Sequence, residues 1–365
     1  MFSIFKRSPE AKPKPTFKAR VEDFWKWYSE VAPRFYQTIE AKKCSSLAVE
    51  VSAKVDELLP GFAWVFGPGK NKNDHSFTLS GEGVLHRQLL TMFWLSRAPE
   101  LPGWTFYSAR QPGSIQGMRM DMNGKVFNPI EFWLTTKPNP DSKKIDLVVW
   151  HPLFSEMQER DRWRVLFLFL DEVLGEFGTG QWTGEIKLND QKLIDAMPLH
   201  ELNSYVKKIE AETGWKKYKP GESWSGYRLK DQQPFLRGDI LVGSTTHPRL
   251  ITEYLNTNGE LPDPLAGTGA DYVFISFDVK FLPSGKQSET RGTMEEALDR
   301  AMKFAANGQV LGGALGTQNA YIDLLLFNGD DSVKTVRHII EEQKLPSGTS
   351  INYFAKEKRG HRIVL

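Results

Sequence analysis

A nearly continuous apolar run, residues 145–150, predicts a strand that is covered on both faces. A helix that carries the apolar run 165–170 follows it, and residues 182–188 predict another strand. Ser155 and Gln158 have the spacing of a capping box at the start of that helix. Glycines at 178 and 180 predict its end. We therefore expect this segment to form the central core of the first half of the chain.

The rest of the first half predicts helices packed on a mainly antiparallel sheet, which is an α+β fold class. Pro33 is expected to kink or split the first helix, and Asn123-Gly124 is a strong hairpin signal. The predicted helices are 21–39, a second one that ends at Leu58, 84–97 and 199–212, and the predicted strands are 62–66, 76–80, 104–109, 117–122 and 126–134.

The last hundred residues give the clearest pattern. Alternating apolar and polar residues at 273–281 predict a half-buried strand, and Thr293 and Glu296 have capping-box spacing before a helix. Strands at 309–315, 320–327 and 350–355 and a helix from Asp331 or Ser332 complete the order βαββαβ, which is ferredoxin-like. That fold hosts enzymes, RNA binders and regulatory modules, so it carries no function by itself.

A chain of 365 residues predicts two domains. We expect a disordered basic tail at 1–18, an α+β domain at 19–215, and a ferredoxin-like α+β domain at 216–365. The polar stretch 216–233 forms an irregular lead-in to the last of these and marks the boundary.

Charge and targeting signals limit the kinds of partner. The net charge is +2, but the basic residues concentrate in 1–20 and 356–365, so the remainder is acidic. An acidic body disfavours a nucleic-acid surface, although the basic ends leave contact with RNA or anionic lipid open. Because the chain has no signal-peptide pattern and no membrane-spanning run, the sequence predicts a cytoplasmic protein without a membrane partner. Cys44 is the single cysteine, which excludes an intramolecular disulfide.

Histidines and a glutamate suggest one candidate metal site. His75, Glu82 and His86 are close in sequence, and His151 follows the central strand. If they converge, their nitrogens and carboxylate could hold zinc or iron. Their spacing matches no metal motif. The alternative interpretation is that they are structural histidines with hydrogen-bond partners in the fold, or surface histidines. No cofactor is indicated.

Carboxylates in apolar surroundings suggest acid–base chemistry. They are Glu131, Asp146, Glu172 and Glu176. Glu172 and Glu176 are four residues apart, so we expect them to share one helix face, opposite Arg110 or Arg119. A structural ion pair or a solvated face is the alternative.

Aromatic residues around an arginine suggest a ligand-binding site. Trp104 and Tyr107 precede Arg110 at a predicted strand end, where a guanidinium could bind a carboxylate or phosphate. We expect a cleft walled by Trp104, Tyr107 and Arg110. Alternatively, Arg110 holds the turn at Pro112-Gly113.

Three segments of the first 150 residues resemble an uncharacterised bacterial family known only as a domain of unknown function. They are 24–28 with 58–61, 75–83, and 98–104. In related bacterial chains, such domains stand next to a module similar to the ribonuclease E regulator B, and the C-terminal half is loosely similar to ferredoxin-like regulatory modules. The resemblance implies no catalytic residue, cofactor or substrate, and it favours a bacterial binding or regulatory protein.

The sequence contains no complete dinucleotide fingerprint, P-loop or nucleophile elbow. We therefore expect a non-catalytic binding or regulatory module for a protein or a small ligand. The alternative is a metal-assisted hydrolase that uses the His75, Glu82, His86 and His151 cluster.

Overall fold

The computed structural model describes residues 15–115, 117–122 and 124–365 and confirms the α+β fold class. The predicted tail lies outside the described residues as far as Lys14, and Asn123 of the predicted hairpin also lies outside them. Among the described residues, no helix combines the length and the apolar character needed to cross a membrane. The helices are α1 Phe17–Glu40, α2 Ala48–Leu58, α3 Leu85–Ser96, α4 Glu159–Leu174, α5 Glu176–Trp182, α6 Leu202–Thr213, α7 Pro248–Asn256, α8 Gln287–Phe304 and α9 Gly329–Glu342.

The strands form several separate sheets. They are β1 Ala63–Pro68, β2 His75–Ser80, β3 Trp104–Tyr107, β4 Met120–Met122, β5 Lys125–Phe127, β6 Trp133–Asn139, β7 Lys144–Trp150, β8 Thr183–Leu188, β9 Met197–Pro198, β10 Ser225–Tyr227, β11 Ile240–Thr245, β12 Asp271–Asp278, β13 Gly308–Gly316, β14 Asn319–Leu326, β15 Ser350–Tyr353 and β16 Ile363–Val364.

The described chain divides into two compact units. One unit is formed by the middle of the chain, residues 29–56 and 61–224, and we call it the middle unit. The other is formed by both ends of the chain, residues 15–28 and 225–365 together with 57–60, and we call it the outer unit. The start of α1 therefore belongs with the C-terminal sheet, whereas the sequence predicts one domain over residues 19–215. The Phe17 amide donates to the Gly269 carbonyl at 2.9 Å, and the ring of Phe17 lies 6.2 Å from that of Phe327.

The middle unit contains two main sheets. In the first, β1 pairs antiparallel with β2, and β2 pairs parallel with β3 through the crossover helix α3. The second has the order β8-β7-β6-β9. The helix α4 supplies much of its core through Val165, Leu166, Phe169 and Leu170. The second sheet and α4 therefore share one core, and the predicted central strand is β7.

Two predictions about helices fail. The sequence predicts a kink or a split at Pro33, but α1 continues through that residue, so the predicted split does not occur. Helix α4 begins at Glu159, after a short 3₁₀ turn at 154–156, so Ser155 and Gln158 form no capping box.

Gly175 ends α4 earlier than the sequence analysis predicts. Its φ is +76°, and a side chain there would lie 2.9 Å from Pro112 Cδ and 3.1 Å from the Arg110 carbonyl oxygen. Only glycine fits this position without strain. The predicted terminator at 178–180 lies inside α5 instead.

The outer unit contains an antiparallel seven-stranded sheet in the order β10-β11-β13-β14-β12-β15-β16. Within it, β12, α8, β13, β14, α9 and β15 follow one another along the chain. Helices α8 and α9 cover one face, where Ile275, Ile322 and Val336 are buried.

Helix α8 begins at Gln287, so Thr293 lies inside it, and the predicted capping box there is wrong. Strand β11 and helix α7 lie in a region for which the sequence analysis predicts no element.

Candidate functional site

A groove of about 470 Å³ lies in the middle unit, between the second half of α1 and the turn before β3. Ala32, Pro33 and Tyr36 form its α1 wall. The facing wall is the segment 101–104, which ends in Trp104. The groove combines two aromatic rings with two prolines, Pro33 and Pro102, and we call it the Tyr36 groove.

Both aromatic residues of the Tyr36 groove are held in place by their polar atoms. The Tyr36 hydroxyl donates to the Asn73 carbonyl at 2.9 Å, and the Trp104 indole Nε1 donates to the Ala32 carbonyl at 3.3 Å. The indole is also stacked on Phe106, with ring centroids 6.5 Å apart and planes 3° apart. The two side chains therefore present mainly carbon to the groove.

Gly103 allows Tyr36 to pack against the chain. Its φ is +78°, and a Cβ at this position would lie 2.7 Å from Cε2 of Tyr36. Any other residue would be strained in its backbone and would displace the ring. The wall of the groove therefore depends on a glycine that the sequence analysis did not single out.

His75 belongs to the surroundings of the groove. Its Nε2 lies 2.9 Å from Oε1 of Glu40, and its ring is 5.0 Å from Tyr36 and 6.1 Å from Trp104. The histidine therefore joins the aromatic cluster and pairs with Glu40, which is not one of its predicted metal partners.

The predicted metal site is not formed. Among the described residues, no three His, Cys, Asp or Glu side chains come together in a way that could hold a metal ion. His75 contacts Glu40, Glu82 pairs with Arg110, and His86 is buried on α3. His151 lies in the core of the second sheet. These four residues are predicted as one site because three of them are close in sequence, but each side chain has different neighbours in the fold.

His151 is completely buried in an aromatic cage. Its ring centroid lies 4.3 Å from that of Phe132, and Phe127 and Phe154 are also close. Its Nδ1 accepts a hydrogen bond from the Leu153 amide at 3.2 Å. Burial lowers the pKa of His151 to about 4, partly opposed by a hydrogen bond with the Asn128 backbone. Its Nε2 lies 3.8 Å from the half-exposed Glu131. The ring is therefore neutral at neutral pH and acts as a core residue.

The predicted ligand cleft is divided between different surfaces. Trp104 lines the Tyr36 groove, but neither Tyr107 nor Arg110 does. Side chains alternate along a strand, so residues three apart on β3 face opposite sides. Arg110, beyond the end of β3, donates through Nη2 to Glu82 Oε1 at 2.8 Å. The three residues therefore do not wall one cleft.

Glu176 is the buried anchor beside Arg110. Its carboxylate accepts from two side chains, the Ser80 hydroxyl at 2.8 Å and the Gln88 side-chain amide at 3.1 Å. It also accepts from the backbone amides of Gly83 at 3.1 Å and Arg110 at 3.4 Å. These donors lie at the carboxyl ends of β2 and β3 and on α3. The carboxylate therefore ties the α3 crossover to α5.

The carboxylates around Arg110 have unusual proton affinities. Burial raises the pKa of Asp171 to about 6, partly opposed by a hydrogen bond from Thr179 and reinforced by Glu176. Burial also raises the pKa of Glu172, and Arg110 opposes that shift. Burial alone would lower the pKa of Arg110, but its pairing with Glu82 outweighs burial and raises it.

The expectation that Glu172 and Glu176 share a helix face is wrong, because Gly175 separates α4 from α5.

The other two predicted carboxylates lie elsewhere. Asp146 Oδ1 accepts from the Glu185 amide at 2.8 Å, between β7 and β8. Glu131 lies beside His151. Neither joins Glu172 and Glu176, so the four carboxylates form no shared acid–base site.

Comparison of the chain with protein-family models, with curated proteins and with solved structures finds no match. Inferences about function therefore rest on the sites themselves.

Proposed function

We propose that this protein is a binding module without catalytic activity, and that the Tyr36 groove holds a small, planar, uncharged ligand. The observation that carries the proposal is the groove itself. Its volume of about 470 Å³ falls in the range of roughly 300–1,000 Å³ that is typical of small-molecule sites. Its walls join aromatic rings to prolines, which suits contact with the flat face of a ligand.

The state of the polar atoms favours an uncharged ligand. The Tyr36 hydroxyl and the Trp104 indole already have partners in the chain. The nearby His75 is paired with Glu40. Of the groove residues, Gln37 offers an exposed amide for one polar contact. A charged ligand would lose its hydration at this surface without gaining a counter-ion.

The finer expectations about fold and location stay proposals. We propose that residues 271–353 form a ferredoxin-like unit. The strand order β13-β14-β12-β15, antiparallel throughout and with α8 and α9 on one face, supports this assignment. We also propose a cytoplasmic location and, from the resemblance, a bacterial protein with a binding or regulatory role.

Equilibrium dialysis with indole as the probe tests the proposed site. Indole is planar, uncharged and small enough for the groove. We expect wild-type protein to bind one indole per chain, and Tyr36→Ala to bind it at least about fivefold more weakly, because a stacked aromatic pair contributes roughly 0.5–1.5 kcal/mol beyond the area that it buries. Tyr36→Phe retains the ring and should bind like the wild type.

Tyr218→Ala is the matched control. Tyr218 is a 49% exposed tyrosine of the same unit and does not line the groove. The proposal fails if the wild type binds no indole, or if Tyr36→Ala and Tyr218→Ala bind it equally well.

A further inference from the structure

The outer unit contains a second cavity, of about 490 Å³, on the face of its sheet opposite α8 and α9. Phe274 lies on this face, whereas its neighbours Val273 and Ile275 face the helices. Polar and charged side chains surround the opening. We call it the Arg362 cavity.

The floor of the Arg362 cavity is aromatic and firmly held. Tyr254 and Phe274 are buried, and their ring centroids are 6.1 Å apart in an edge-on contact. The guanidinium of Arg237 lies 5.0 Å from the centre of the Phe274 ring, and the Tyr254 hydroxyl donates to the Leu236 carbonyl at 3.2 Å. These contacts fix the shape of the floor before any ligand arrives.

The rim of the cavity is positively charged. It carries Arg359 and Arg362 against a single carboxylate, that of Glu260. Arg359 pairs with this glutamate and donates to the Gly259 carbonyl. Arg362 is exposed and donates to the Ser350 hydroxyl at 3.3 Å, and no carboxylate of the described residues lies within ion-pair distance of it. The guanidinium of Arg362 therefore remains available to an anion.

The rim also carries groups that suit a planar ring. Phe235 is half-buried and lines the cavity, so it shows part of its ring to it. The exposed Asn258 adds an amide that can donate to or accept from a ring edge. Arginine beside aromatic rings is a combination that binds a phosphate and a base together.

We propose that the Arg362 cavity binds a small anionic ligand that carries a planar ring, of the mononucleotide class. Arg362, with Arg359 beside it, holds the phosphate, and the ring lies against Phe235. This site is independent of the Tyr36 groove, because it takes a charged ligand in the other unit.

Isothermal titration calorimetry with AMP tests the proposal, and adenosine and inorganic phosphate serve as partial probes. We expect AMP to bind one site per chain and more tightly than either partial probe. Arg362→Gln should weaken AMP binding at least about tenfold, since a hydrogen bond to a charged group contributes roughly 1.5–3 kcal/mol.

Arg337→Gln is the matched control. Arg337 is exposed on α9, on the other face of the same sheet, and its replacement changes the charge equally. AMP binding should be unaffected by Arg337→Gln. The proposal is overturned if AMP does not bind, if the two variants lose affinity equally, or if inorganic phosphate binds as tightly as AMP.

Discussion

The side chains of Arg237 and Asp323 form an ion pair in which both partners are completely buried. The arginine donates through Nη2 to Asp323 Oδ2 at 3.1 Å and to the Tyr227 hydroxyl at 3.0 Å. Burial alone would lower the pKa of Arg237, but the charge of Asp323 outweighs it and raises that pKa. The rings of Phe274, Tyr321 and Phe354 surround the guanidinium at 5.0–5.1 Å. The pair therefore organises the sheet face that forms the floor of the Arg362 cavity.

Breaking this pair should strongly destabilise the protein. Arg237→Met leaves Asp323 buried without a counter-ion, so we expect the free energy of unfolding to fall by about 3–5 kcal/mol. The double variant Arg237→Met with Asp323→Leu removes both charges and should recover much of that loss. Urea unfolding of the full chain measures both effects. A double variant that is less stable than Arg237→Met would contradict this account.

Replacement of Glu176 by alanine should also destabilise the fold. Four donors of the middle unit would lose their acceptor, and each buried unpaired donor costs roughly 1–3 kcal/mol. We expect a loss of at least about 3 kcal/mol for Glu176→Ala. Glu172→Ala, which removes a half-buried carboxylate of the same cluster, should cost less than about 1 kcal/mol. Equal losses for the two variants would show that the hydrogen bonds of Glu176 contribute little.

The pH dependence of stability should depend on two groups of opposite sign. His151 has a pKa of about 4 in the folded protein and roughly 6.5 when unfolded. Between these values the unfolded chain binds the extra proton, so this histidine makes stability fall as pH falls. Asp171, with a folded pKa of about 6 against roughly 3.9 when unfolded, holds its proton in the folded state and makes stability rise as pH falls.

Variants separate these two contributions. Compared with the wild type, His151→Phe should gain relative stability as pH falls from about 6.5 to 4, and Asp171→Asn should lose it. Thermal unfolding at a series of pH values measures both slopes. Parallel curves for all three proteins would mean that neither group changes its pKa on folding.

The sequence predicts elements well where one segment forms its own pattern. The strand 145–150 and the strand 76–80 occur as β7 and β2 with nearly the predicted bounds. The ends of helices are harder to predict from sequence, because contacts with distant segments determine where a helix ends. Gly175 ends α4 since the chain at Arg110 and Pro112 passes against it, and nothing in the local sequence of α4 shows that approach.

The candidate sites depend even more on distant contacts. The sequence predicts a ligand site that joins Trp104 to Tyr107 and Arg110, because these three residues are close along the chain. Its partner across the groove is Tyr36, on α1. Strand β11 and helix α7 were missed because their short apolar stretches lie among polar residues and turns. The Arg362 cavity, which α7 helps to form, was therefore beyond sequence reasoning.

A crystal structure of the full chain grown with indole tests the central claim most directly. We expect density for one indole between the ring of Tyr36 and that of Trp104, in contact with Pro33 or Pro102. Indole bound elsewhere with the Tyr36 groove empty, or no bound indole at a concentration that saturates the protein in dialysis, would contradict the claim that this groove is the ligand site.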